Sequence, residues 1–235
     1  MTLNIFSGGA AQAVVTGLQH EFEQAHDCAL APTFGAVGTM RDKLLAGEPC
    51  DLLVLSASLI EQLTAQGHVV AGTARALGAV ATGVAVREGT AEVAVGTSEA
   101  LRAALSASRG LYVPDMTKSS AGIHIAGMLK ALGLGAALAD RIHEFPNGTT
   151  AMRALADAQA DADGEGLLGC TQVTEIMYTP GVRLVGELPA EHALSTVYTA
   201  AVCSRAQQPA LAAALVELLT GEGSAALRRR SGFGL

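Results

Sequence analysis

Small, hydroxylated and glycine residues recur where the strand-like apolar runs of this sequence give way to helical patterns. Free backbone N–H groups at a helix N-terminus, with the positive end of the helix dipole, bind anions. Small residues also let a ligand approach the backbone closely. The junctions therefore predict an anion-binding site whose residues are Ser7, Gly8, Gly9, Val37, Gly38, Thr39, Ser56, Ala57, Ser119, Ser120, Asn147, Thr149 and Gln172.

Each junction taken alone also has a purely structural interpretation, because Ser, Thr and Asn are the usual N-cap residues of helices. Ser58 and Glu61 have the spacing of a capping box, and we interpret them as one. The recurrence of such junctions along one α/β pattern favours a binding site.

Asn147 lies in a predicted turn between Pro146 and Gly148. We expect Thr149 or Thr150 to cap the helix that follows, which leaves the Asn147 side chain near the edge of the site. The alternative is an Asn-Gly turn that binds no ligand.

The ionisable residues His124, Glu175, Asp115 and Lys118 could transfer protons if the protein is an enzyme. Each has an alternative role: a core or rim histidine, a cap or solvent-facing glutamate, a turn aspartate and a surface lysine. No nucleophile-elbow, metal-ligand or phosphate-loop spacing occurs, so the sequence predicts no metal and no cofactor. An enzyme would use general acid–base chemistry on a bound organic acid.

The elements that position these residues follow a strand–helix alternation with short connections, which is typical of parallel α/β units. The alternation occurs in two sets that are joined by two long strands. The predicted strands are Leu3–Phe6, Ala29–Phe34, Asp51–Leu55, Ala79–Val86, Gly110–Val113, Arg141–Phe145, Gly166–Cys170 and Ser195–Val202. The predicted helices are Ala10–Ala25, Thr39–Ala46, Ser58–Gln66, Ser120–Leu132, Thr149–Gln159 and Pro209–Leu219.

This pattern predicts an α/β fold of two lobes with a double-strand hinge and a ligand cleft between the lobes. Lobe 1 is expected to combine residues 1–79 with residues 198–235, and lobe 2 is expected to span residues 80–197.

Several motifs occur in an order and spacing that identify a resemblance over nearly the whole chain. They are Ile5–Ala10, Phe34–Met40, Gly47–Leu53, Ser56–Ser58, Ser119–Ile123, Gly169–Ile176, Pro180–Val182 and Leu188–Ala190. Together they resemble the molybdate-binding family of ABC-transporter solute receptors. The resemblance implies a type II periplasmic-binding-protein fold.

The same resemblance bears on the ligand. The molybdate receptors hold their oxyanion partly by two serine hydroxyls, and the matching positions here are Ala10 and Val37. A buried ligand oxygen without a partner costs ~1–3 kcal/mol. We therefore expect an organic carboxylate rather than molybdate or tungstate, and Lys118 and Asn147–Thr150 also suit a carboxylate.

Two functions stay open at this point. The first is binding of a small anionic molecule, with a transporter permease as a partner if the protein is a receptor. The alternative is a cytosolic isomerase or lyase that acts on a small organic acid in the same cleft, because this fold also supports enzymes.

Composition excludes other classes. The formal charge is −7 and the three lysines are dispersed, so nucleic acid is not an expected partner. The dense basic stretch Arg228–Arg230 is interpreted as a helix-end feature. No apolar run approaches the ~20 residues that a spanning helix needs, so membrane insertion is not expected.

The cysteines Cys28, Cys50, Cys170 and Cys203 lack C-x-x-C spacing and are expected to be buried free thiols. Such thiols favour a reducing compartment. No secretory signal precedes Leu3, so we expect a cytoplasmic protein as the chain stands, or a periplasmic one if a leader was removed.

Overall fold

The computed structural model describes residues 1–158 and 166–235. It divides into two compact units. Unit 1 consists of Met1–Val80 and Thr196–Leu235, and unit 2 consists of Ala81–Ser195.

In chain order, the strands of the described residues are β1 (Thr2–Gly8), β2 (Ala29–Gly35), β3 (Leu52–Ser56), β4 (Arg75–Arg87), β5 (Gly110–Pro114), β6 (Ile142–Phe145), β7 (Leu167–Gln172), β8 (Val182–Glu187) and β9 (Ser195–Val202). The α-helices are α1 (Gln12–His26), α2 (Val37–Leu45), α3 (Ala57–Ala65), α4 (Ser98–Ala107), α5 (Ser120–Ala131), α6 (Gly135–Leu138), α7 (Gly148–Asp157), α8 (Val173–Tyr178), α9 (Pro209–Thr220) and α10 (Ala225–Arg230). Within the described residues, no single helix is long and apolar enough to cross a membrane, although two bent helix pairs pass by length and composition alone.

Unit 1 is built on a sheet with the strand order β2-β1-β3-β9. β1 runs parallel to β2 and β3, and β9 runs antiparallel to β3. The run Leu52–Leu55 in β3 is fully buried, as expected for a strand that is covered on both faces. α1 buries Val14, Leu18 and Phe22 at a spacing of four residues, which places them on one face of the helix.

Unit 2 is built on the strands β4-β7-β5-β6, and β8 also pairs with β4. β5 runs parallel to β6 and β7, whereas β7 runs antiparallel to β4. Met152 and Leu155 of α7 are fully buried in a cluster with Ala85 of β4 and Ile176 of α8. This cluster holds the start of α7 and the start of α8 within one packed region.

Most predicted elements occur at or close to their expected positions. β9 has the predicted bounds, β4 begins four residues before the predicted Ala79, and α2 begins at Val37 rather than Thr39. The predicted helix end at Gln159 lies outside the described residues. The sequence did not predict α4, α6, α8 or β8, whereas the helix end expected at Arg228–Arg230 is confirmed by α10.

Two expectations about helix caps were wrong. α3 begins at Ala57 with Ser56 as its N-cap, so Ser58 lies inside the helix and does not form a capping box with Glu61. α7 begins at Gly148, and its N-cap is Asn147 rather than a threonine. The expectation of buried free thiols is confirmed for all four cysteines.

Candidate anion-binding site

The carboxyl ends of β1, β2 and β3 form one edge of the sheet in unit 1, because the three strands are parallel. A 3-10 turn leading into α1, helix α2 and helix α3 begin at this edge. Their N-caps are Gly8, Ala36 and Ser56, and in the described part of the chain none of them makes a side-chain cap hydrogen bond. The first N–H groups of these segments are therefore not used by side-chain caps and can bind an anion.

The early start of α2 changes the role of one predicted junction. Val37, Gly38 and Thr39 form its first turn, and Val37 and Gly38 are buried whereas Thr39 is half-buried. Val37 and Gly38 have only backbone N–H groups to donate, whereas Thr39 also has a hydroxyl. The first turn of a helix is the part that carries its unsatisfied donors.

Gly8 lies in close contact with the side chains around it. A Cβ atom at this position would lie 2.9 Å from Val37 Cγ1 and 2.9 Å from Tyr198 Cε1. Ala10 is also buried. The lining at this part of the edge is thus composed of methyl groups and an aromatic ring around buried backbone.

The serine hydroxyls at the carboxyl edge of unit 1 have nearby hydrogen-bonding partners. The Ser7 hydroxyl is fully buried and donates a hydrogen bond of 2.9 Å to the Gly8 carbonyl. The Ser56 and Ser58 hydroxyl oxygens lie 3.4 Å apart. Ala57 follows as the first residue of α3.

In unit 2, two of the three predicted junctions are capped by their own side chains, whereas Gln172, the N-cap of α8, makes no side-chain cap hydrogen bond within the described residues. Ser119 accepts a hydrogen bond of 3.2 Å from the Gly122 amide, and Ser120 is the first residue of α5. Asn147 Oδ1 accepts from both the amide and the hydroxyl of Thr150, each at 2.9 Å. The Ser119 and Asn147 side chains therefore stabilise helix starts.

Glu175 is the buried acid of unit 2. Its Oε2 accepts a hydrogen bond of 2.6 Å from the Thr171 hydroxyl, and it also accepts from the amides of Gly148, Thr149 and Gln172. Burial raises the pKa of Glu175 despite these hydrogen bonds, which act in the opposite direction. This carboxyl group thus accepts hydrogen bonds from amides at the start of α7.

Three buried hydroxyls in unit 2 have no hydrogen-bond partner among the described residues: those of Thr82, Thr149 and Thr174. Thr149 and Thr174 lie in the first turns of α7 and α8, and Thr82 pairs in register with Gln172, the N-cap of α8. Buried polar groups are nearly always paired, so each unpaired hydroxyl needs an explanation. The sequence analysis missed Thr82 and Thr174: the strand pattern around Thr82 carries no signal, whereas Thr174 follows a recognised junction.

The other predicted proton-transfer residues have local partners or lie at the surface. His124 Nε2 donates to the His192 carbonyl over 2.7 Å. Asp115 Oδ1 accepts hydrogen bonds from the amide and hydroxyl of Thr117 and from the Lys118 amide. Partial burial acts to raise the pKa of Asp115, but these hydrogen bonds outweigh it, so the pKa lies below its ordinary value. The Lys118 side chain is exposed. No group of three or more His, Cys, Asp or Glu residues in the described ranges could hold a metal ion.

Comparison with known proteins places this geometry in a family. Residues 3–234 match the family described as bacterial extracellular solute-binding protein. The chain belongs to this family.

The chain is also similar to individual curated proteins and solved structures. The chain is 25% identical to an aconitate isomerase from a Pseudomonas species over 238 residues, which covers 99% of this chain and 87% of that protein. The periplasmic molybdate-binding protein of Azotobacter vinelandii is 17% identical, with a TM-score of 0.77 and coverage of 99% of both chains. The sulfate-binding protein SubI of Mycobacterium tuberculosis H37Rv is 14% identical, with a TM-score of 0.74, 99% coverage of this chain and 86% of that one.

These similarities confirm the type II periplasmic-binding-protein fold and the resemblance to molybdate-binding receptors. The family is described as extracellular.

Proposed function

We propose that this solute-binding protein binds a small organic carboxylate through the N–H groups at the carboxyl edge of unit 1. Two features at this edge carry the proposal. Three helical segments begin there without side-chain caps, and Ala10 and Val37 place apolar side chains beside them. Backbone N–H groups and helix dipoles bind the negative charge of a carboxylate.

The apolar side chains distinguish a carboxylate from a tetrahedral oxyanion. Molybdate presents oxygens in every direction, and an oxygen facing Val37 would lack a donor at a cost of ~1–3 kcal/mol. An organic acid instead presents carbon atoms, and these can pack against the methyl groups of Ala10 and Val37.

The experiment is calorimetry of the full chain with citrate, cis-aconitate, trans-aconitate, malonate, sulfate and molybdate. We expect at least one carboxylate to bind more tightly than either inorganic oxyanion. Tight molybdate binding with no detectable carboxylate binding would contradict the proposal.

A second candidate function is isomerisation of a small organic acid, and the aconitate isomerase relative favours it. Moving a double bond along a tricarboxylate requires removal of one proton and return of another, which is general acid–base chemistry. Glu175 is a candidate group because its pKa is raised by burial, and perturbed carboxyl groups are common at catalytic sites.

Proton NMR of cis-aconitate and trans-aconitate incubated with the protein tests this second function. Interconversion that is lost in Glu175→Gln and retained in Glu21→Gln would support it, since Glu21 is exposed on α1. Binding without interconversion would leave a receptor, for which we propose a location outside the cytoplasmic membrane and a transporter permease as partner. Copurification with that permease tests the receptor role.

A further inference from the structure

A pair of cysteines lies at the edge of unit 1 opposite the candidate site. Cys50 precedes β3 and Cys203 follows β9, and the two residues are 153 positions apart in the sequence. The antiparallel register aligns Leu52 with Val202, and the Cys203 amide donates to the Asp51 carbonyl over 2.9 Å. The two sulfur atoms are 3.5 Å apart.

Hydrogen bonds connect the two thiols. The Cys203 thiol donates to the Cys50 sulfur, and the Cys50 thiol donates to the Leu52 carbonyl over 3.2 Å. Within the described residues, neither Cys28 nor Cys170 makes a hydrogen bond to another sulfur atom, and Cys28 donates to the Ala29 carbonyl. The close approach of two sulfurs is thus particular to Cys50 and Cys203.

A cavity of about 350 Å³ reaches both cysteines, and polar residues including Glu48, His68 and Arg205 also line it. The exposed fractions are 6% for Cys50 and 1% for Cys203, and the cavity gives a small molecule a route to both sulfurs. The polar lining suits a small hydrogen-bonding molecule.

We propose that Cys50 and Cys203 form an oxidisable thiol pair that becomes a disulfide when a peroxide enters this cavity. The Cys50 sulfur attacks a peroxide oxygen, the O–O bond breaks and water leaves with the thiol proton, which makes Cys50 a sulfenic acid. The Cys203 sulfur then attacks the Cys50 sulfur, the S–O bond breaks and a second water leaves with the Cys203 proton. Two thiols and one peroxide yield one disulfide and two waters.

The order of the two steps follows from the environment. The hydrogen bond to Cys50, and then burial, raise the pKa of Cys203 well above its ordinary value. Cys50 keeps more contact with the cavity and therefore meets the peroxide first, and the raised pKa of Cys203 suits the second sulfur, which gives up its proton as it attacks.

The bond requires the two side chains to rotate toward each other. The sulfurs must approach from 3.5 Å to the bonded distance of about 2.05 Å. The bond would close a long loop, and long closed loops lose the most entropy in the unfolded chain. β3 separates this pair from Ser56, so oxidation should leave anion binding at the carboxyl edge unchanged.

The test treats the reduced, folded full chain with hydrogen peroxide, removes the peroxide, and counts thiols after denaturation. We expect loss of two of the four thiols, a Cys50–Cys203 cross-linked peptide in mass spectra, and a melting temperature raised by several degrees. A thiol reductant should reverse all three changes.

Cys28→Ser and Cys170→Ser are the matched controls, and each should still form the cross-link. Cys50→Ser and Cys203→Ser should form no intramolecular disulfide. Four intact thiols in peroxide-treated wild type, or a cross-link between other cysteines, would overturn the proposal. The peptide map of wild type tests the proposal even if a variant fails to fold. Because the readout involves no carboxylate, its outcome is separate from that of the proposed function.

Discussion

The Thr171 hydroxyl donates a hydrogen bond of 2.6 Å to Oε2 of Glu175, and both residues are buried in unit 2. The same carboxyl group accepts hydrogen bonds from the amides at the start of α7. A buried acid of this kind links the stability of the unit to pH.

Burial raises the pKa of Glu175 in the folded state above the unfolded value of ~4.3. Between the unfolded and the folded pKa of Glu175, the folded protein therefore binds more protons than the unfolded chain. The stability that this group contributes is fully present below pH ~4.3 and is lost as pH rises through the folded pKa. We expect the free energy of unfolding of wild type, measured by denaturant unfolding at each pH, to fall relative to that of Glu175→Gln between the two pKa values, with a limiting slope of ~1.4 kcal/mol per pH unit. Glu21→Gln is the control and should follow the wild-type profile; parallel profiles for Glu175→Gln would contradict the assignment.

Restoring hydroxyls should change ligand choice. Ala10→Ser and Val37→Ser introduce the groups that the molybdate receptors use, and each is expected to strengthen molybdate binding by ~1–3 kcal/mol. Calorimetry with molybdate measures this, and Val70→Ser, which alters an exposed valine, is the matched control. Unchanged molybdate affinity in both site variants would argue against this edge as the site.

Asn147→Ala should lower stability by ~0.5–2 kcal/mol, because it removes the cap that accepts from Thr150. Asn147→Asp retains the acceptor and is the control. Denaturant unfolding gives the stability, and calorimetry of the same variants with the ligand found in the panel separates a cap from a ligand contact. A loss of affinity larger than the loss of stability would favour the site interpretation of Asn147.

Two glycines of α5 should respond oppositely to alanine. A Cβ atom at Gly122 would collide with the backbone of Asp115, whereas nothing lies within 4 Å of a Cβ at Gly127. Gly122→Ala is expected to destabilise by ~1–3 kcal/mol through overpacking, and Gly127→Ala to stabilise by ~0.5–1 kcal/mol. Equal melting temperatures for the two variants would be inconsistent with this packing.

Arg228 is the buried member of the basic stretch at the end of α10. Its guanidinium donates to the carbonyls of Leu77, Thr220 and Gly221 and to the Ser224 hydroxyl. Arg228→Ala leaves these acceptors without their donor and should destabilise by ~2–4 kcal/mol. Arg229→Ala is the matched control, because Arg229 is exposed and should change stability by less than ~0.5 kcal/mol. Chemical denaturation compares the two variants.

Local pattern accounts for much of the fold. The apolar run Ser195–Val202 has the bounds of β9 because a continuous strand pattern depends on neighbouring residues alone. Val182–Glu187 was missed as β8, since Arg183 and Gly186 interrupt its apolar pattern. The junctions of unit 1 were visible because glycine, serine and alanine follow each strand in the sequence.

The alternation of strands and helices, the family, and the lack of hydroxyls at Ala10 and Val37 can be predicted from the amino-acid sequence. The cap that Asn147 forms on α7, the hydrogen bonds of Glu175 to amides of a neighbouring helix, and the contact of Cys50 with Cys203 become visible in the folded chain. The difference lies in range, because strand and helix patterns arise from residues a few positions apart. Burial and the pairing of polar groups depend instead on where distant parts of the chain return, and that is set by packing of the whole unit.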